Sequence, residues 1–109
     1  MFKKSLAFSL LLFCGIWSAL ASTVVTVKAA DGLVLQGDWH RADKPNGRAV
    51  LLLHMLHSSR HAWDALIPDL TRAGIDVLAV DQRGHGETGG FQHWPKAIED
   101  AAQWTTWLR

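Results

Sequence analysis

Cysteine is nearly absent from this chain of 109 residues: Cys14 is the only one, and it lies in an uncharged N-terminal run. Everything after that run is free of cysteine, which excludes disulfides, thiolate nucleophiles and cysteine-ligated metal sites there. An excess of charge of one sign is also missing. The whole chain has 11 Lys+Arg against 10 Asp+Glu; setting aside Lys3 and Lys4 leaves nine cations and ten anions, interspersed and without a basic stripe. Nucleic-acid binding draws its affinity from counterions released by clustered cations, so no nucleic-acid partner is expected. The chain also contains no internal repeat, which excludes stacked-repeat architectures.

What is present begins with a targeting pattern. Lys3 and Lys4 form a positive start, Ser5 to Ala21 (SLAFSLLLFCGIWSALA) is free of charge, and Ala19-Leu20-Ala21 matches an A-x-A cleavage site. Residues 1–21 therefore read as a signal peptide cleaved before Ser22, with export to the periplasm or the extracellular space and no stable membrane insertion afterwards. The alternative is an uncleaved anchor over residues 5–21, a run at the short edge of what spans a bilayer. Five of the six tryptophans follow this leader, and each needs a large apolar surface to cover it.

The remaining 88 residues alternate between two hydrophobic periods. Thr23–Lys28 (TVVTVK) is β-branched, Asp31-Gly32 is a turn signal, and Leu33–Trp39 (LVLQGDW) is expected to run back as the second arm of a hairpin. Pro45 and Asn46-Gly47 mark a loop, after which Ala49–His54 (AVLLLH) is a continuous apolar run, suited to a strand buried on both faces. Trp63, Leu66, Ile67 and Leu70 then fall on one helical face within Arg60–Ala73. Ser59 is a candidate N-cap, Gly74 a candidate stop, and Pro68 is expected to kink the helix or split it. Asp76–Val80 (DVLAV) is a second strand, a glycine-rich loop follows, and Pro95–Leu108 carries a helical stripe of Ala97, Ile98, Ala101, Trp104 and Leu108. The order is hairpin, strand, helix, strand, helix: an α/β fold with a right-handed parallel crossover. The final helix asks for another strand, so the sheet is expected to be incomplete, with an exposed or unsupported apolar edge at Val77–Val80 and its neighbours.

The stretch Ala49–Gly86 (AVLLLHMLHSSRHAWDALIPDLTRAGIDVLAVDQRGHG) resembles the opening half of α/β-hydrolases of the esterase, lipase and peroxidase-like kind. The match consists of an apolar strand ending in His54, Trp63 with the helix at Leu66, Ile67 and Leu70, and the D-x-R-G-H-G turn Asp81-Gln82-Arg83-Gly84-His85-Gly86. One departure is Met55, which stands where the family usually has glycine. The resemblance implies that the backbone N–H of Leu56, with Met55 adjacent, forms one half of an oxyanion hole. It assigns His54 to bracing that turn rather than to general base catalysis, because the family's catalytic histidine comes late in the chain. Asp81, Arg83, Gly84, His85 and Gly86 become loop supports, with Asp81 and Arg83 able to pair and to accept from or donate to loop backbone. Trp63 is a candidate pocket wall that equally suits core packing, and Trp94, Trp104 and Trp107 are expected to be packing residues, in part against a fuller domain.

No G-x-S-x-G elbow occurs in these 109 residues, and neither Ser58 nor Ser59 has the strand-to-helix context of one. No catalytic residue is therefore assigned, and the resemblance places nucleophile, acid and base beyond Arg109. It implies a partial domain over residues 22–109 of an exported serine hydrolase. That enzyme acts on a small-molecule carboxylic ester or similar acyl substrate, with no metal or organic cofactor. These residues alone are expected to be inactive. Two alternatives belong to other classes. One is a non-catalytic exported half-domain that binds a partner or associates with itself. The other is a metal site formed by His54, His57 and His61, whose H-x-x-H-x-x-x-H spacing lacks the glutamate of a zinc-protease helix.

Overall fold

Four strands form one mixed sheet in the computed structural model, which describes residues 22–109. The expected leader over residues 1–21, and its anchor alternative over 5–21, lie outside the described residues. Strands β1 (Thr23–Lys28) and β2 (Val34–His40) pair antiparallel from Thr23↔Trp39 to Lys28↔Val34. The reversal is closed by Ala29 N–H to the Leu33 carbonyl at 2.8 Å and Gly32 N–H to the Ala29 carbonyl at 2.9 Å, at the turn signal Asp31-Gly32. Strand β3 (Arg48–Leu53) lies parallel to β4 (Ile75–Asp81), and the spatial order is β1-β2-β4-β3. The mixed sheet with flanking helices is the α/β architecture expected.

The crossover between β3 and β4 is split. Arg60–Trp63 is a 3-10 turn, capped by the Ser59 Oγ, which accepts from the His61 N–H at 3.3 Å. Helix α1 (Ile67–Arg72) starts afresh, with Pro68 in its first turn where a missing N–H costs nothing, and ends before Gly74, whose φ is +90°. The proline thus breaks the expected helix in two. Helix α2 (Trp94–Trp107) follows β4, with Pro95 in its first turn and His93 as its cap. Among the described residues no helix is long and apolar enough to cross a membrane.

Side-chain alternation along β4 divides the core between the two faces. Leu78 and Val80 pack with Ala29, Leu35 and Trp104, under α2. Val77 and Ala79 pack with Ile67, Leu52, Trp63 and Leu70, under the 3-10 turn and α1. An apolar run with no polar alternation is what such double burial demands.

The expected apolar edge falls on the neighbouring strand and not on Val77–Val80 itself. These residues are at most 1% exposed, because β2 pairs with β4 (Gly37↔Val80 to His40↔Val77) and encloses it, which leaves β3 as one edge of the sheet and β1 as the other. Of the three tryptophans expected to pack, Trp104 is buried and Trp107 meets Trp39 edge-to-face at 5.4 Å. Trp94, the first residue of α2, is 61% exposed and takes no part in the core of the described residues, which leaves its indole open to a fuller domain.

Candidate functional site

Parallel neighbours end at the same rim of the sheet. The loops that follow β3 and β4 therefore lie side by side, outside the carboxyl ends of the strands, where open α/β sheets bind ligands. The first loop, residues 54–59, carries Met55 and Leu56 at its outermost point, and their side chains are 58% and 48% exposed. Its turn is closed by the Ser58 N–H donating to the Met55 carbonyl at 3.2 Å. Neither the Met55 nor the Leu56 N–H donates to an acceptor within the described residues. His57 has φ +62° and is the one non-glycine residue among those described in the left-handed region, so the unusual dihedral falls there and not on Met55.

Two imidazoles lace this loop to its neighbour. His54, 4% exposed, sets Nδ1 2.8 Å from the Met55 carbonyl, while its Nε2 accepts the Gln82 N–H at 3.0 Å. His85 does the reverse from the second loop: Nδ1 lies 3.1 Å from the Arg83 carbonyl and Nε2 accepts the His57 N–H at 2.9 Å. An imidazole nitrogen that accepts an N–H carries no proton, so in both rings the proton sits on Nδ1 and is donated to a carbonyl. The rings meet edge-to-face with centroids 4.9 Å apart. Both thus spend both nitrogens on backbone groups.

Beneath the loops lies a buried ionic lattice that differs from the expected pairing. Asp81 and Arg83 do not pair with each other: Asp81 closes β4 and Arg83 lies in the turn beyond it, and each is engaged by other groups. Asp81 accepts from the Arg60 N–H at 2.7 Å, from Arg60 Nη1 at 2.5 Å and from the Glu87 N–H at 2.9 Å. Arg83 forks onto Asp100 (Nε–Oδ2 2.9 Å, Nη2–Oδ1 3.0 Å) and reaches Asp31 at 2.7 Å. The Arg83 hydrogen bond holds the Asp31 carboxyl well below the usual carboxylate range, helped by the Leu33 N–H. The hydrogen bonds that Arg83 donates to Asp100 and Asp31 in turn raise the pKa of its guanidinium. Gly84 and Gly86 have φ of +84° and +50°; a Cβ on the first would fall 2.6 Å from the Gln92 nitrogen and on the second 2.3 Å from the Asp81 carboxylate.

Arg60 joins several members of this lattice, and sequence reasoning singled out neither it nor its partners Asp38 and Glu87. It is 4% exposed, and its partners Asp38, Asp81 and Glu87 lie 21 to 27 residues away. Burial acts to lower its pKa, and hydrogen bonds to Glu87 and Asp38 with the charges of Asp38 and Asp81 outweigh it and raise it. The available signal was an arginine closing a loop that opens on His54, with acidic residues in two neighbouring strands, Asp38 within β2 and Asp81 at the end of β4.

Trp63 is half-buried against Ile67, Val77 and Ala79 on the α1 face, and its indole Nε1 is buried without a partner among the described residues. His61 turns outward to Asp64 at 3.2 Å, away from His54 and His57. Among the described residues no group of three or more His, Cys, Asp or Glu side chains is arranged to hold a metal ion. Two clefts, of about 260 and 480 Å³, surround Asp31, Arg83 and Lys96. Neither includes any residue of 54–63, and the charges lining them are largely paired with one another.

A sheet of this order, with its loops gathered at the carboxyl ends of two parallel strands, is the opening part of an α/β-hydrolase fold. The family model described as serine aminopeptidase, S33, matches residues 44–107, and the chain belongs to that hydrolase family. Among curated proteins it is similar to bifunctional epoxide hydrolase 2 of Sus scrofa, 36% identical over 83 residues, covering 76% of this chain and 13% of that protein. Similarity to epoxide hydrolase B of Mycobacterium tuberculosis is 41% over 54 residues, covering 47% of this chain and 15% of that protein. An esterase of Pyrococcus furiosus superposes with a TM-score of 0.71 at 31% identity, over 82% of this chain and 34% of that structure. The chain thus spans less than a fifth of these curated relatives and about a third of the structure.

Proposed function

We propose that residues 22–109 are the N-terminal part of an exported serine hydrolase that acts on a small-molecule carboxylic ester or similar acyl substrate. In this reading the nucleophile, acid and base lie outside this chain, and residues 1–21 direct export, on the strength of Lys3, Lys4 and the Ala19–Ala21 site. The single observation that carries the proposal is the exposed Met55–Leu56 turn. Its two N–H groups have no acceptor within the described residues, and it is held by His54 and His85 at the rim where ligands bind. Attack on an ester carbonyl puts a full negative charge on its oxygen. A backbone N–H already fixed in place stabilises that charge without reorganising, and one such donor contributes about 10²–10³ in kcat. The Leu56 N–H is assigned as that donor, with Met55 beside it. His54 is not the base, since both of its nitrogens are engaged with backbone groups.

A second reading, opening of an epoxide by a carboxylate nucleophile, is favoured by the epoxide hydrolases among the curated relatives at 36–41% identity. One experiment separates the two. The gene product, recovered from the exported fraction of its native cell, is treated with a fluorophosphonate and its intact mass is measured. Turnover of p-nitrophenyl acetate and of styrene oxide is measured alongside. The proposal expects a mass well above the 12.1 kDa of this chain, one phosphonyl adduct on a serine, and ester turnover. Epoxide turnover without an adduct would establish the second reading. A product of this size or smaller, with no adduct and neither turnover, would overturn both.

A further inference from the structure

Arg60 opens the 3-10 turn directly after the Met55–Leu56 loop, and a buried guanidinium is costly unless its donors are matched. Here they are matched from three separate places. Nε donates to Asp38 of β2 at 2.9 Å, Nη1 to Asp81 at the end of β4, and Nη2 to Glu87 in the second loop. The Arg60 backbone N–H grips the other oxygen of the same Asp81 at 2.7 Å. Main chain and side chain of one residue thus hold one carboxylate, and this fixes Arg60 against the end of β4 in direction as well as distance. The first loop is consequently fixed at both ends, at Leu53 by its pairing with Val80 and at Arg60 by Asp81. Between those ends, the two bonds that imidazoles accept, His54 from the Gln82 N–H and His85 from the His57 N–H, form only if the end-to-end geometry is right.

An apolar residue of similar volume would brace a fold as well as a buried ion does, and often better. What the planar fork adds is orientation. We propose that Arg60 is a positioning residue of the hydrolytic site: by clamping Asp38, Asp81 and Glu87 it sets the turn that presents the Met55 and Leu56 N–H groups. The catalytic consequence rests on the proposed hydrolytic reading; the mechanical one rests on the geometry alone.

The test uses the complete protein and two variants, Arg60→Lys, which keeps the charge and loses the fork, and Glu87→Gln, which alters a partner whose side chain is 65% exposed. Hydrogen exchange is read at the His57 and Gln82 amides, whose acceptors are imidazoles and not Arg60, against the β4 amides of Val77–Val80. The clamp predicts exchange at least ~10-fold faster at His57 and Gln82 in Arg60→Lys, with β4 unchanged. It also predicts that kcat for p-nitrophenyl acetate falls by ~10–100-fold while KM stays within about twofold, since about 1 Å of misplacement costs on that order. Unchanged exchange at the two amides, a rise shared equally by β4, or a loss confined to KM would overturn it. If Arg60→Lys does not fold, the same two amides in Glu87→Gln decide: selective acceleration supports the clamp and no change overturns it. Absence of ester turnover in the unsubstituted protein would count against the hydrolytic reading, while the amides would still decide the clamp.

Discussion

Replacing Gly86 by alanine tests the lattice where it is tightest. Two costs follow from the geometry. The first is backbone strain: an L-residue at φ +50° sits in the left-handed region, at about 1–2 kcal/mol. The second is displacement, because the new Cβ would lie 2.3 Å from both Cγ and Oδ2 of Asp81, far inside contact distance. The carboxylate cannot retreat without releasing donors, since it holds the Arg60 and Glu87 N–H groups and the Arg60 guanidinium. Loss of one charge-assisted bond costs roughly 1.5–3 kcal/mol, so the variant is expected to be less stable by about 3–5 kcal/mol. Gly89 supplies the control: its φ is +64° and an added Cβ meets nothing within 4 Å, so Gly89→Ala carries the strain alone, about 1–2 kcal/mol. Urea unfolding followed by tryptophan fluorescence measures both on the same protein, with the slope checked for constancy. If Gly86→Ala falls within about 1 kcal/mol of Gly89→Ala, the carboxylate is not held as described, and the argument from the Asp81 lattice fails.

Two further predictions concern the other side of the fold. The folded-state pKa of Asp31 is lowered from 3.8, chiefly by its hydrogen bond to Arg83, so its stabilisation is fully present above that value and is lost as pH falls through the lower folded pKa. The difference in urea midpoint between the parent and Asp31→Asn should be constant from about pH 5 to 7 and shrink below 3.8; a difference that grows with acid would show the sign to be wrong. Trp104→Ala, which empties a site 2% exposed against Leu35, Leu78 and Val80, should cost about 3–5 kcal/mol. Trp94→Ala, at a residue 61% exposed, should stay within about 0.5 kcal/mol in the same urea unfolding assay, and equal effects would refute the assignment of the core to one face of α2.

What the sequence made legible was local. The Asp31-Gly32 turn, the doubly buried run of β4, the split at Pro68 and the cap at Ser59 each follow from a few neighbouring residues, because turn chemistry and hydrophobic period are short-range properties. Strand order is not short-range. Nothing in Val34–His40 or Asp76–Val80 says which strand lies between the others, and the expectation of an edge at Val77–Val80 failed on that point. The ionic pairs were illegible for the same reason. Asp81 and Arg83 are two residues apart in sequence, yet their partners Arg60 and Asp100 stand 21 and 17 residues away, on elements whose approach is set by the sheet. The exposure of Trp94 could not be read from helical period either, since a stripe gives a face and not what covers it.

Met55 shows how the two levels join. The resemblance expects glycine at this position, and a bulky residue there would distort the turn if that position needed a left-handed dihedral. It does not: the left-handed residue is His57, two positions later, and Met55 keeps an ordinary backbone with its side chain 58% exposed. The left-handed conformation of His57 costs on the order of 1–2 kcal/mol for an L-residue. That residue's own N–H is held by His85 Nε2 at 2.9 Å, and a hydrogen bond of this kind contributes about 0.5–1.5 kcal/mol, which offsets most of the cost. The substitution for glycine and the histidine of the second loop are therefore parts of one arrangement. Under the proposed function, a turn that tolerates methionine can present its N–H groups only while His85 stays in place, so the D-x-R-G-H-G loop contributes to the oxyanion geometry through a backbone it never approaches in sequence.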